Sequence, residues 1–307
     1  MSGQIIDIND AVAELEKKGL KVDDSSQLKY YIKNFNINTF LVEYSQFFLD
    51  EKGVFVNTTS SELIELYNFD KNFGNHLFRN ILVLEKIINT NVAYTVINHY
   101  NLEDKCLFRL KRDDLEKRVM RNYRNITPQI AFEGLLVKMT RYLESKKSMR
   151  RLADQKIKDR VFQWHELPLD IMCLSWSFST TFSFFIALEN DVQLSILRNM
   201  NVPSQLIKGF SMFVENSINV RNLISHNMVL YGEDVKYQSE ELNDLYELLN
   251  KDKIKDGVFR MPHLIKCVSK IIGDDGENNL YIKTIASINN LKMSQEHKEK
   301  ILKLYLL

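Results

Sequence analysis

The stretch from Ser60 to Tyr100 constrains this fold more than any other segment. Thr59-Ser60-Ser61-Glu62 opens it as a capping box: the Thr59 hydroxyl can meet a first-turn amide of a helix while the Glu62 carboxylate reaches back. Downstream, Leu77, Ile81, Leu84, Ile88, Val92 and Thr95 recur at steps of three and four, the spacing of a helical stripe that faces a core. A helix is therefore predicted over the whole stretch, with Phe73-Gly74 as the point where it can break. Four prolines and ten glycines are too few for a chain of short strands and turns, so the fold class is all-α. With 45% hydrophobic and 26% charged residues in 307, the chain can bury a full core.

Shorter helices precede and follow. Asp10 to Lys18 ends at Gly19, a second helix begins at Asp24 or Ser25, and a third runs from Asn38 toward Leu49 with Phe40, Leu41, Tyr44, Phe47 and Phe48 on one side. Thr127-Pro128 starts a helix to about Glu144, and Leu167-Pro168 starts one that is apolar nearly all round through Phe185. From Pro203 another carries Leu206, Phe210, Phe213, Val214, Ile218 and Leu223 inward and ends before Gly232. Ser239 to Asn250, Pro262 to Ile272, Leu280 to Leu291 and Ser294 to Leu307 complete the set. The expected organisation is a helical domain over residues 1–235, with a C-terminal helical extension over 236–307.

Cys106, Cys173 and Cys267 fit neither a disulfide framework nor a zinc spacing, which points to a reducing cytoplasm. Met1 to Gly19 lacks the basic start and apolar run of a secretory signal, and no charge-free apolar stretch of about 18 residues is present to span a membrane. The net charge of +1 conceals an uneven distribution. Residues 105–160 hold seventeen Lys or Arg against seven Asp or Glu, leaving the remainder at minus nine. Such a segment is either a solvated basic helix face or a groove for a polyanion. On the second reading its RNA-binding residues are Arg109, Lys111, Arg112, Lys117, Arg118, Arg121, Arg124, Lys146, Lys147, Arg150, Arg151, Lys156, Lys158 and Arg160, with Tyr123 and Tyr142 for base stacking.

No glycine-rich phosphate loop, GxSxG elbow or HExxH motif occurs, and the six histidines are scattered without a metal-ligand spacing. The expectation is chemistry with no cofactor and no metal. What remains is Arg221-Asn222-Leu223-Ile224-Ser225-His226. An imidazole can take the proton of a ribose 2′-hydroxyl or protonate a leaving 5′-oxygen, while a guanidinium stabilises charge on the phosphorane. On an ideal helix Arg221 and His226 lie about 140° apart, whereas Asn222 and His226 share a face. The bare spacing recurs in Arg160 and His165, which read as structural or RNA-contacting.

The residues around this pattern resemble a family. Leu66-Tyr67-Asn68-Phe69-Asp70-Lys71 is similar to an L-Y-x-F-D-[RK] element. Glu85 with Ala93-Tyr94 is similar to the helix that follows it, and Pro168-Leu169 with Ser177-Phe178-Ser179-Thr180 to a P-L-x7-S-F-G-T helix. In this order, over about residues 15 to 235, they resemble bacterial abortive-infection proteins of the AbiD and AbiF kind, in the HEPN ribonuclease superfamily, whose R-N-x3-H motif corresponds to Arg221, Asn222 and His226. Asn89, Leu174, Ser179 and Asn227 depart from that pattern, standing respectively where a basic residue, a glutamate, a glycine and a second histidine are frequent. The resemblance implies a HEPN-like helical bundle and a phage-defence or toxin role. It implies RNA as substrate and a structured non-coding RNA as a regulatory partner. Glu85 then either pairs with Arg221 or is an exposed helix acid. The expected activity is metal-independent endoribonuclease cleavage that leaves a 2′,3′-cyclic phosphate. The second imidazole would come from a homodimer, the other possibility being a single subunit held silent by its RNA. The rival readings are a non-catalytic RNA-binding module and a helical protein adaptor.

Overall fold

A computed structural model describes residues 7–35, 38–101, 169–170, 173, 176–230, 237–274 and 279–305. The fold is all-α, and among the described residues there is one two-stranded antiparallel pair. The helices are α1 (Ile8–Lys17), α2 (Ser25–Asn34), α3 (Ser60–His99), α4 (Phe178–Ala187), α5 (Asn190–Asn199), α6 (Ile207–Ser225), α7 (Glu240–Asn250), α8 (Met261–Ile272), α9 (Leu280–Asn289) and α10 (Gln295–Tyr305). No described helix is long and apolar enough to cross a membrane. The chain forms two compact units of interleaved segments, residues 1–78, 222–234 and 276–307 in the first and residues 79–221 and 235–275 in the second.

In the first unit the predicted capping box starts α3: the Glu62 amide donates to Thr59 Oγ1 at 3.2 Å, and the Thr59 amide to Glu62 Oε2 at 3.1 Å. The other oxygen of Glu62 ties down the start of α10, accepting the Ser294 amide at 2.8 Å and lying 3.2 Å from His297 Nδ1. α3 does not break at Gly74. That glycine is buried, and a Cβ there would sit 3.0 Å from Leu230 Cδ1, so the residue serves a close approach of the chain. The helix expected from Asn38 is instead a π-helical turn, Thr39–Tyr44, followed by a 3-10 turn, Ser45–Phe47. Phe40 and Tyr44 thereby both pack on Tyr67, with ring centroids 5.1 and 5.3 Å away. Tertiary packing outweighs α-helical hydrogen bonding there.

The second unit is built on the apolar stripe of α3. Ile81, Leu84, Ile88 and Val92 are fully buried, and Thr95 accepts a hydrogen bond from Asn199 of α5 at 2.9 Å. The single apolar helix predicted through Phe185 is interrupted at Trp176-Ser177. The Ser177 hydroxyl accepts the Thr180 amide and begins α4 afresh, a serine cap overriding the apolar run. Gln193 of α5, buried, donates to the carbonyls of Phe185 and Ile186 at the end of α4. The pair of strands, Tyr237–Gln238 with Val258–Phe259, had no counterpart in the sequence reading, because two residues are too short for an alternating pattern.

α6 and α7 meet backbone to backbone at Gly209, where an added Cβ would overlap the Glu241 carbonyl oxygen. Gly209→Ala is expected to cost about 1–3 kcal/mol in urea denaturation by forcing the two helices apart. On α8, His263 Nδ1 accepts the Arg260 amide at 2.8 Å, and its ring packs against Tyr246 and Phe259. Burial pushes this imidazole down to about 4, helped by the charges of Lys266 and Arg260. The unfolded chain takes up the same proton near pH 6.5, so the neutral ring stabilises the fold fully above that pH and the contribution is lost as pH falls toward 4. His263→Gln, which keeps an acceptor for Arg260, should flatten the loss of thermal stability between pH 6.5 and 4.

Candidate functional site

α6 is helical because its apolar residues keep step with the turn. Phe210, Phe213, Val214, Ser217 and Val220 are buried at spacings of three and four, following a 3-10 turn at Ser204–Leu206. The division between units falls between Arg221 and Asn222. Arg221 ends a segment of the second unit half-buried, with its Nε enclosed by protein. Glu85, in the same unit, is also half-buried and has Oε2 enclosed, so it is not a solvated helix acid. Asn89, four residues on, donates to the Cys173 carbonyl at 3.1 Å, and an amide in place of the family's basic residue serves that contact.

Asn222 and His226 belong to the first unit, and both side chains are exposed. The Asn222 carbonyl accepts the His226 amide at 3.0 Å and the Ser225 hydroxyl at 2.9 Å. Immediately afterwards the helix closes. Asn227 adopts the left-handed region at φ 58°, its amide donates to Ile224, and the Met228 amide reaches back to Leu223, both at 3.0 Å. This is a Schellman closure, which satisfies the last carbonyls and fixes the residue before it. The departure at Asn227 is thus accommodated, since asparagine and histidine are among the side chains that tolerate this conformation best.

What holds the turn is the Leu66-Tyr67-Asn68-Phe69-Asp70-Lys71 segment of α3. Lys71 Nζ donates to the carbonyls of Asn227 and Met228, both at 3.0 Å, and lies 3.7 Å from Asp70. Burial pushes this ammonium below the usual lysine range, against the opposing pull of the Asp70 carboxylate. Asp70 itself is fully buried. It accepts from the Tyr44 hydroxyl at 2.6 Å, the Tyr305 hydroxyl at 2.5 Å and the Leu230 amide at 3.2 Å. In the sequence this segment is a mark of resemblance, and neither Asp70 nor Lys71 is among the site residues expected from it. A signal was present: Asp70 occupies an inward position of the stripe Leu63, Leu66, Phe73, Leu77, where an acid requires partners.

The Ser177-Phe178-Ser179-Thr180 segment is a helix cap in the structure, with Phe178 and Thr180 buried and Ser179 exposed. Arg109, Lys111, Arg112, Lys117, Arg118, Arg121, Arg124, Lys146, Lys147, Arg150, Arg151, Lys156, Lys158 and Arg160 lie outside the described residues, as do Tyr123, Tyr142 and His165. Among the described residues, one cluster has metal-binding chemistry: His99, Glu189 and Asp191, with ligand atoms within 4.8 Å of one another. It lies at the surface of the second unit, and His99 is too far in sequence from Glu189 and Asp191 for a spacing search to find.

Removing the Asp70 carboxylate would take a buried acceptor from two tyrosine hydroxyls and one amide. Asp70→Ala is therefore expected to cost about 3 kcal/mol, and Lys71→Met about 1–3 kcal/mol, in chemical denaturation. A loss below about 1 kcal/mol for Asp70→Ala would show that the network is not a determinant of stability.

No curated protein and no solved structure matches the chain. A family model described as Abi-like protein does match, across residues 27–232, which takes in most of α2, Asp70 and Lys71, and all of α6. The chain belongs to the Abi-like protein family.

Proposed function

We propose that this protein is a metal-independent endoribonuclease of the HEPN type that acts in abortive infection, the phage-defence role its family suggests. The observation that carries this reading is an exposed imidazole, His226, standing at a helix end whose backbone is locked on both sides. A rigid backbone under an accessible acid–base group is what proton transfer to or from a ribose requires. His226 takes the proton of the 2′-hydroxyl, the oxygen attacks the adjacent phosphorus, and the 5′-oxygen leaves, giving a 2′,3′-cyclic phosphate end. Arg221 stabilises the charge gathered on the phosphorane, Glu85 orients Arg221, and Asn222 helps to set the imidazole. Concerted catalysis uses one imidazole as base and another as acid, and a second copy of the chain supplies the other His226. The basic segment 105–160 carries the RNA strand, and a structured non-coding RNA bound along it holds the activity in check.

The non-catalytic RNA-binding reading predicts a different outcome of one experiment. Purified protein in EDTA is expected to cut single-stranded RNA to cyclic-phosphate ends, and His226→Ala to slow this by about 100-fold or more while RNA binding persists. Equal cleavage by the two proteins removes His226 from the chemistry. Salt-sensitive binding with no cleavage by either supports the binding module.

A further inference from the structure

Beside the turn that follows His226, the first unit contains a half-open pocket of about 260 Å³. Three groups of its lining matter: the aromatic rings of Phe35 and Tyr67, the α3 residues Lys71 and Asn75, and the turn residues Asn227 and Met228. Phe35 is 37% exposed and Met228 45%, although both are large and apolar. Tyr67 backs Phe35, with ring centroids 5.3 Å apart. The volume falls below the roughly 300 Å³ at which sites for drug-sized ligands begin, so it suits one flat ring system.

The cation in the pocket helps decide what that ring system is. Lys71 Nζ lies 5.7 Å from the Tyr67 ring centroid, but its protons are directed to the Asn227 and Met228 carbonyls and toward Asp70. A phosphate would have to compete with all three, whereas a neutral aromatic ring needs no donor from the lysine. Phe35 and the polarizable thioether of Met228 offer it stacking and dispersion, and exposed Asn75 presents both a donor and an acceptor to its edge.

We propose that this pocket receives a nucleobase of single-stranded RNA, that of a nucleotide flanking the bond cut at His226. The proposal rests on the ribonuclease reading for the identity of the strand. The chain itself sets the nearness, since Asn227, which lines the pocket, directly follows His226. The pocket would give the cleavage its base preference.

The test uses the full chain with 13C-methyl-labelled methionine and 2′-O-methyl trinucleotides of A, C, G and U, which carry the bases but no nucleophilic hydroxyl. The Met228 methyl resonance, assigned by its loss in Met228→Leu, is expected to shift with one base in preference to the others. Binding of that trinucleotide should weaken by roughly tenfold or more in Phe35→Ala, the scale of one lost base stack. Phe35 also packs on Tyr31, so Asn75→Phe, a change at an exposed position that fills the pocket, provides a second variant expected to weaken binding as much. No Met228 shift with any trinucleotide, or unchanged affinity in both variants, overturns the pocket. A parallel cleavage assay separates the two ideas: cleavage without a Met228 shift removes the pocket and leaves the ribonuclease reading. A Met228 shift without cleavage supports the base site and removes the ribonuclease reading.

Discussion

A carboxylate with no exposed surface organises the first unit. Burying the Asp70 carboxyl group without hydrogen-bond donors would cost several kcal/mol. Its donors come from three distant stretches: Tyr44 in the π-helical turn, Leu230 beyond α6, and Tyr305 at the end of α10. None of those segments can move away without breaking a hydrogen bond to the buried carboxyl group. The requirement accounts for the irregular turn at Thr39–Tyr44, which presents Tyr44 to Asp70, and for the seating of Tyr305 between Phe69 and Phe73. Glu62 does the same work one end further along, joining its own capping box to the start of α10.

The consequence for the candidate chemistry is local. The main chain leaving His226 follows a Schellman closure, then runs under Lys71, then anchors on Asp70 within four residues of the histidine. An exposed side chain on a backbone fixed in this way has its Cα held in place, which suits the proposed role of meeting a flexible strand. Gly74 contributes by absence, since a larger residue would press on Leu230 and displace the same segment.

The segments that resemble the family divide into two kinds of work. Leu66 to Lys71 builds the support for the turn after the motif, and Ser177 to Thr180 starts a helix by capping it. On the proposed reading Arg221, Asn222 and His226 act on RNA, with Glu85 held half-buried in the unit that holds Arg221. Of the other described histidines, His297 lies against Glu62 and His263 caps α8, both structural duties in a buried or half-buried setting.

The sequence alone determined the helical class, the cap at Thr59, the stripe from Leu77 to Thr95 and the four C-terminal helices. Each depends on residues within a few positions of one another, where a 3.6-residue period and a capping side chain are sufficient. It also placed Arg221, Asn222 and His226 on the helix that follows Pro203, but that helix, expected to end before Gly232, closes at Ser225 and leaves His226 in the turn. Tertiary structure decided what depends on partners far along the chain: the continuity of α3 through Gly74, the π-helical turn, the fresh start at Ser177, the short strand pair, and the two units woven from alternating segments. It alone gave Asp70 and Lys71 their task, because a buried charge takes its meaning from donors that arrive some 26 to 235 residues away.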